Sequence, residues 1–242
     1  MNQTTVCNTG AVTKVESMSL SPNLSDRLPS HHQLPPTAIQ PRCDFIQQGD
    51  SILRPRLVVN GWGAGYRLTF DGRRQITTLY LPGELIGVWR SSQPTFYHSV
   101  MSITQLSLIE FSTPADGDVA LAECALIERQ MENSIFRLGC LDAYERMAHL
   151  FLELGERLAI RGEGACDRYR MPLTQELLAD LAGISSVHVN RTLQQMRADK
   201  VIRLANCQLS LADPAKLANM VHYQSLTAQL PLTFRESARY RA

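Results

Sequence analysis

Five closely spaced residues near the C-terminal end of the chain have side chains suited to contacting DNA bases. They are Ser186, Val187, His188, Asn190 and Arg191. The guanidinium of Arg191 can bind guanine through two parallel hydrogen bonds, and the amide of Asn190 can do the same with adenine. Short polar side chains at the start of a helix fit the major groove of a duplex. The segment therefore predicts sequence-specific DNA binding, provided that a helix presents these residues outward.

The flanking residues predict the helix-turn-helix that such binding needs. Thr174 is a good N-cap for a short first helix, whose apolar face would carry Leu177, Leu178 and Leu181. Gly183 lies where a tight turn between two crossing helices requires a positive φ. Ser185 then caps a second helix, with Val189, Leu193 and Met196 pointing inward. Residues 201–204 and 208–211, joined by a tight turn, predict a two-stranded wing. An αα-hairpin without a ligand is the alternative, but the wing favours DNA binding.

Upstream, residues 43–113 have the pattern of short β-strands separated by turns. Apolar residues alternate with polar ones from Tyr66 to Phe70, and Asp71-Gly72 is a strong hairpin signal. Residues 76–81 form the return strand. Further strands are predicted at residues 57–59, 96–102 and 106–111. A series of short strands without intervening helices predicts an antiparallel barrel or jelly roll.

From about residue 117 the apolar period becomes helical. One apolar stripe runs along a predicted first helix through Ala120, Cys124, Ile127, Met131, Ile135 and Leu138. This stripe can pack on the protein's own barrel or on the same helix of a second chain, and a long helix between two domains favours the second arrangement. A second helix is predicted over residues 142–160. We interpret His149 on that helix, with Glu145 and Glu153 one turn away, as part of a solvated face rather than a metal site.

Composition and charge narrow the class of protein. The chain has 242 residues, of which 44% are hydrophobic and 19% charged, as in ordinary soluble globular proteins. The N-terminus lacks a secretory signal, and no apolar run approaches the ~18 residues of a membrane span. The six cysteines contain no Cys-x-x-Cys pair. We therefore expect a cytoplasmic protein with reduced thiols. Residues 168–242 carry ten Lys or Arg and five Asp or Glu, whereas the preceding residues carry fourteen and eighteen. An uneven solvated surface explains this asymmetry as well as a polyanion site in the C-terminal part does.

These patterns predict an α+β protein with an N-terminal antiparallel barrel or jelly roll, a long helix suited to pairing two copies and a C-terminal winged helix-turn-helix. The expected divisions are a flexible leader over residues 1–41, a β domain over 42–116, which the resemblance described next implies is a β-roll sensor domain, dimerisation and connecting helices over 117–162, a DNA-binding domain over 163–223 and a tail over 224–242.

Two blocks of sequence resemble the Crp–Fnr family of bacterial regulators. One is GWGAGYRLTFDGRRQITTLYLPGELIG, similar to the family's barrel strands and Pro-Gly-acidic turn, and the other is LTQELLADLAGISSVHVNRTLQQMRADKVI, similar to its helix-turn-helix. They occur in the family's order, separated by a long helix, and the resemblance extends over residues 45–223. It implies a β-roll sensor, a dimerisation helix and a winged helix-turn-helix that binds a near-palindromic site.

The sequence departs from this resemblance at the ligand-binding positions of the cyclic-nucleotide-binding members. Residues 83–87 retain the glycine-rich approach, but Val88 replaces the Glu that would bind the ribose, and His98-Ser99 replaces the Arg-Ser pair that binds the cyclic phosphate. Loss of the guanidinium removes a bidentate phosphate contact, and a His is only partly charged near neutral pH. We therefore expect no tight binding of cyclic AMP. The candidate residues around an effector turn are Gly83, Glu84, Gly87, Trp89, His98 and Ser99.

The cysteines depart from the family's oxygen-sensing members, which hold an iron–sulfur cluster through closely spaced N-terminal cysteines and one more. Cys7 and Cys43 are too isolated to reproduce that arrangement, so no cofactor is predicted. Cys43 and Cys124 are either redox-responsive thiols or small buried residues without reactivity, and the second interpretation is favoured. Cys124 lies on the predicted dimer stripe, where oxidation would cross-link two copies.

In the recognition segment, Arg191 matches the family's base-contacting Arg, whereas Val187 replaces its usual Glu. A Val cannot accept a hydrogen bond from cytosine, so we expect a different base preference, with apolar contact to a thymine methyl group. The expected base-contacting residues are Ser186, Val187, His188, Asn190 and Arg191. Gln175 and Lys200 are expected to contact phosphates.

The leading hypothesis is a homodimeric transcription regulator that binds promoter DNA and works with RNA polymerase, with an unknown effector. The alternative is a small-molecule sensor that acts through protein partners and carries a vestigial helix-turn-helix. An enzyme is not expected, because the sequence has no nucleophile elbow, phosphate loop or zinc-ligand spacing.

Overall fold

The N-terminal part of the protein is a β-roll made of two four-stranded antiparallel sheets. The computed structural model describes residues 36–88, 94–110 and 117–226. The strands are β1 (Thr37–Ile39), β2 (Asp44–Ile46), β3 (Arg56–Asn60), β4 (Gly63–Leu68), β5 (Arg74–Tyr80), β6 (Leu85–Ile86), β7 (Ser99–Ser102) and β8 (Leu106–Glu110). One sheet has the order β1-β8-β3-β6 and the other β2-β7-β4-β5. This architecture confirms the predicted β-roll.

The local sequence signals predicted the β4–β5 hairpin, but they did not predict every strand. Gly72 has φ 83°, as the predicted Asp-Gly turn requires, and its N–H donates to the carbonyl of Thr69. Strand β1 lies inside the predicted leader, where it pairs with β8. Three residues are too few to show a period, so this strand depends on its partner. Strand β7 begins at Ser99 rather than residue 96, because Phe96 occupies a loop that bonds to the backbone of Asp50.

Two long helices follow the β-roll. They are α1 (Gly117–Cys140) and α2 (Ala143–Ile160). Asp142 caps α2 in a reciprocal capping box with Glu145, the carboxylate of each accepting from the backbone N–H of the other at 2.9 Å. Helix α2 is buried on almost every side, and His149 and Glu153 are 1% and 2% exposed. The interpretation of His149 as part of a solvated face is therefore wrong, because α2 packs on α1 and on the C-terminal helices at once.

The C-terminal part is a winged helix-turn-helix. It consists of β9 (Arg168–Arg170), α3 (Gln175–Ala182), α4 (Ser186–Ala198), β10 (Ile202–Ala205), β11 (Gln208–Leu211) and α5 (Pro214–Met220). The sheet has the order β10-β11-β9, so the predicted two-stranded wing gains a third strand. The core of this C-terminal part contains Tyr169, Leu178, Val189, Leu193 and Met196, each at most 1% exposed.

The helix-turn-helix is docked on the β-roll by polar contacts. Arg74 at the start of β5 forms an ion pair with Asp180 of α3 at 2.7 Å (Nε to Oδ2). The side-chain amide of Gln75 donates to the carbonyl of Asp180 at 2.5 Å. The guanidinium of Arg146 donates to the carbonyls of Leu138 and Ala182 at 3.0 and 3.1 Å, and thereby joins the end of α1 to the end of α3. These bonds fix the orientation of α3 relative to the β-roll.

Candidate nucleic-acid interface

Local hydrogen bonds set the start of helix α4. The Ser185 hydroxyl accepts from the backbone N–H of His188 at 3.2 Å, as in an N-cap. Gly183 ends α3 with φ 65° and ψ 36°, a left-handed conformation that suits glycine. The inward residues Val189, Leu193 and Met196 are at most 1% exposed. Burial of these three residues determines which face of α4 points to solvent.

The outward face of α4 brings together the predicted base-contacting residues. Ser186, Val187, His188 and Arg191 are exposed, and Asn190 is half-buried. Val187 is 61% exposed at the start of this face. The uncharged hydroxyl, amide and imidazole groups around Arg191 form a small hydrogen-bonding surface at the N-terminal end of a helix. Such a surface has the shape and chemistry needed in a major groove.

The two predicted phosphate contacts lie near opposite ends of helix α4. The side-chain nitrogen of Gln175 lies 3.5 Å from the side-chain oxygen of Asn190, so Gln175 adjoins the base-contacting group. Lys200 lies beyond the C-terminus of α4, in a left-handed conformation with φ 59°. The structure does not bring Lys200 next to the residues at the start of the helix.

Helix α1 exposes three large apolar side chains and buries two charged ones. Met131, Ile135 and Leu138 are 58%, 70% and 36% exposed. By contrast, Glu123 and Arg137 are 6% and 4% exposed, and each forms an ion pair with α2 or the residue after it. Large apolar side chains clustered on one exposed side of a helix can serve as a surface for another protein chain.

Glu84 in the candidate effector turn is bound internally. Its carboxylate accepts from Nε and Nη2 of Arg157 at 2.9 and 2.7 Å, and from the backbone N–H of Leu81 at 2.9 Å. The side chains of Glu84 and Arg157 are 9% and 5% exposed. Gly83 and Gly87 have φ near 80°, consistent with a tight turn. With three donors on its two oxygens, Glu84 holds α2 and has little capacity left for an effector.

His98 and Ser99 do not form a joint anion clamp. The imidazole Nε2 of His98 lies 2.9 Å from the Tyr80 hydroxyl, and the ring packs over the backbone of Gly65, where a side chain would collide with it. Burial lowers the pKa of His98, so the ring is neutral near pH 7. The hydroxyl of Ser99 accepts from the backbone N–H of Gln48 at 3.0 Å. Trp89 lies outside the described residues.

A cavity of about 790 Å³ lies between the β-roll and α1. Its lining is mainly apolar and includes Leu79, Val88, Phe96 and Ile127, with the edge of His98. Arg67, Arg137 and Arg157 also reach it; Arg137 and Arg157 are held in ion pairs with Glu153 and Glu84, whereas Arg67 is exposed. The region around the candidate turn is therefore not a filled core.

The candidate redox residues are both accessible. Cys43 is exposed, and Cys124 is half-exposed on α1. Neither side chain has the burial that the favoured interpretation expects. Within residues 36–88, 94–110 and 117–226, no group of three or more His, Cys, Asp or Glu side chains is arranged to hold a metal ion. In the same ranges, no helix is long and apolar enough to cross a membrane.

Comparison with known proteins agrees with this geometry. Residues 145–220 match the Crp-like helix-turn-helix domain. Two nitrogen fixation regulation proteins named FixK are similar. That of Rhizobium meliloti is 25% identical over 75% of this chain and 84% of its own length. That of Bradyrhizobium diazoefficiens is 28% identical over 63% of this chain and 67% of its own length. The transcriptional activator FnrL of Cereibacter sphaeroides is 29% identical over 66% of this chain and 68% of its own.

Solved structures share the fold at low sequence identity. FixK2 from Bradyrhizobium japonicum superposes with a TM-score of 0.67 at 22% identity, over 76% of this chain and 96% of that one. A Crp-family regulator from Thermus thermophilus superposes with a TM-score of 0.61 at 16% identity, over 78% of this chain and 98% of that one.

The β-roll, the long helix and the winged helix-turn-helix define a two-domain regulator with a DNA-binding module. The matched domain and these relatives support a DNA-binding transcription regulator of the Crp–Fnr type. The alternative of a sensor with a vestigial helix-turn-helix is not favoured.

Proposed function

We propose that the protein acts as a homodimer that binds a near-palindromic promoter site, with α4 of each copy in the major groove. The observation that carries this proposal is the outward face of α4, where Ser186, His188 and Arg191 are exposed and Asn190 adjoins Gln175. Two such helices related by a two-fold axis would contact half-sites about 34 Å apart, one turn of the duplex.

The exposed apolar side of α1 supports the homodimer. Met131, Ile135 and Leu138 would otherwise remain in water, and burial of each apolar side chain contributes roughly 1.5–3 kcal/mol. The internal ion pairs of Glu123 and Arg137 hold the helix so that this side faces away from α2. A two-fold contact along α1 therefore places the same residues of two copies together.

We propose that the signal is not cyclic AMP and that the protein uses no iron–sulfur cluster. Val88 offers no hydrogen bond to a ribose, Glu84 is already bound to Arg157, and His98 is neutral and bonded to Tyr80. A phosphate anion would find no free guanidinium at these positions. We also propose that the protein acts in the cytoplasm and works with RNA polymerase.

Selection of binding sites from random DNA tests the proposal. We expect a two-fold symmetric consensus, and Arg191→Ala should weaken binding to it by about 1–3 kcal/mol while relaxing the base preference at one position of each half-site. Arg191→Lys is the matched control, since it keeps the charge but loses the planar fork. If Lys restores full affinity and preference, or if Arg191→Ala weakens all duplexes equally, Arg191 contacts phosphate and not a base.

A further inference from the structure

The side-chain amides of Gln175 and Asn190 meet between the two helices of the helix-turn-helix. Gln175 is the first residue of α3, and Asn190 is the fifth residue of α4. Nε2 of Gln175 donates to Oδ1 of Asn190 at 3.5 Å, which is long for a hydrogen bond. This bond connects the first helix to a predicted base-contacting residue of the second.

Capping and burial fix the backbone on both sides of this contact. The Thr174 hydroxyl accepts from the backbone N–H of Leu177 at 3.3 Å, which places Gln175 in the first turn of α3. On α4, Val189 and Leu193 are 0% and 1% exposed, so the helix that carries Asn190 is held by its core. The torsions of the two side chains therefore decide how the Asn190 amide is turned.

Asn190 lies on the flank of the outward face of α4. Successive residues of an α-helix are about 100° apart around its axis, so Asn190 lies about 100° from the buried Val189 and Arg191 about 200°. Accordingly, Asn190 is half-buried, whereas Arg191 is exposed. Helix α3 borders this flank through Gln175, so the Asn190 amide would approach a base with one side against protein and the other against DNA.

The direction of the hydrogen bond determines which atoms Asn190 presents to a base. An asparagine amide has an oxygen with two lone pairs and a nitrogen with two hydrogens. Adenine is bound in the major groove when the nitrogen donates to N7 and the oxygen accepts from the N6 amino group. An amide turned over by 180° would face the amino group with a donor. With one lone pair of Oδ1 bound to Gln175, the other lone pair and Nδ2 remain for adenine.

We propose that Gln175 is a positioning residue for base recognition, because its N–H holds Oδ1 of Asn190 and thereby sets the amide orientation that binds adenine. This inference rests on the proposed function, since α4 must lie in the major groove. A duplex that covers α4 excludes water, and exclusion of water strengthens the bond between the two amides. The second hydrogen on Nε2 of Gln175 remains for the phosphate contact predicted from the sequence.

Selection of binding sites with three variants of residue 175 tests this role. Gln175→Lys keeps a donor, Gln175→Met has neither donor nor acceptor, and Gln175→Glu has only acceptors and so favours the reversed amide. Asn190→Ala first identifies the base position that Asn190 contacts. There, the Lys variant should keep the preference for adenine. The Met variant should lose about threefold to tenfold, the effect of one neutral hydrogen bond, and the Glu variant should lose more. Preference at the position contacted by Arg191 should stay unchanged.

Gln195→Glu is the matched control for charge. Gln195 is exposed on α4, and it lies about 140° around the helix axis from Asn190. This variant adds the same negative charge as Gln175→Glu, so it should weaken binding to all duplexes while keeping the preference for adenine. Preference is a ratio of affinities of one protein for two duplexes, and a general effect of charge therefore cancels. Unchanged circular dichroism and melting temperature show that each variant is folded.

The outcomes separate this inference from the proposed function. If the wild type selects a two-fold consensus and the Met and Glu variants prefer adenine as strongly, Gln175 does not position Asn190, and the inference alone fails. It also fails alone if Asn190→Ala leaves the consensus unchanged, or if Gln195→Glu loses as much preference as Gln175→Glu. If the wild type selects no consensus, the proposed function fails, and the inference fails with it.

Discussion

The ion pair between Glu84 and Arg157 makes a quantitative prediction about the effector turn. Glu84→Gln removes the charge from a side chain of nearly the same shape. The substitution leaves the Arg157 guanidinium buried and deprives it of its closest carboxylate, at 2.7 and 2.9 Å. We expect a large loss of stability rather than a selective loss of effector response.

The structure sets the size of that loss. Removing one partner of a buried ion pair costs roughly 3–5 kcal/mol. Arg157 retains the carbonyl of Leu79 at 2.6 Å and the carboxylate of Glu153 at 3.6 Å, and the substituted amide can still accept one hydrogen bond. These remaining contacts place the expected loss at the lower end, about 3 kcal/mol. For a chain of this size it corresponds to a fall in melting temperature of roughly 6–12 °C.

Thermal denaturation at a single protein concentration measures this difference, since the proposed dimerisation would make the melting temperature depend on concentration. The matched control is Glu110→Gln. It breaks the pair with Arg56, also 2.7 Å long, whose side chains are 31% and 30% exposed. Exposed pairs contribute about 1 kcal/mol or less, so the control should melt within a few degrees of the wild type.

A melting temperature of Glu84→Gln equal to that of the control would refute the reasoning. The buried carboxylate would then contribute no more than an exposed one. A variant with wild-type stability but no response to an effector in transcription would also contradict it, because Glu84 would then act as a ligand residue.

Further predictions concern single sites. Burial and the nearby charge of Arg137 lower the pKa of His149 from 6.5 to about 4. As the pH falls from 6.5 to about 4, the unfolded chain therefore takes up a proton that the folded chain does not, and roughly 3 kcal/mol of stability is lost. His149→Gln should flatten this part of the curve of unfolding free energy against pH, and an unchanged slope would exclude His149 as its source. Oxidation should cross-link the dimer through Cys124, giving a dimer band on a non-reducing gel that Cys124→Ser abolishes; a band that persists in Cys124→Ser contradicts this. Asp180→Asn, which breaks the 2.7 Å pair with Arg74, should loosen the docking of α3 and speed amide exchange in the helix-turn-helix, while equal exchange in both proteins would show that the pair does not hold the domain. Calorimetric titration with cyclic AMP should show no low-micromolar affinity, and such an affinity would overturn the proposal about the signal.

The outward face of α4 could be predicted because its signals are local. Gly183, the Ser185 cap and the period of Val189, Leu193 and Met196 specify which face of α4 is buried, and the opposite face follows from helix geometry. The β4–β5 hairpin is similar, since Asp71-Gly72 encodes its turn within two residues.

The tertiary structure decided the roles of residues whose partners are distant in sequence. His149 was predicted to lie in solvent, but α1 and the C-terminal helices cover α2. His149 is therefore part of the protein interior. Glu84 and Arg157 are 73 residues apart, and no pattern along the chain reveals that they pair.

By itself, the sequence determined the class of this protein: a β-roll, a long helix and a winged helix-turn-helix with Arg191 and Asn190 on its outer face. Capping, period and turn chemistry act over a few residues, so they can be read directly from the chain. Only the tertiary structure decided that α1 buries Glu123 and Arg137 while it exposes Met131 and Ile135, and that the wing sheet gathers arginines from β9 and β10. Burial and charge clustering depend on which distant segments pack together, and that information appears only when the chain is folded.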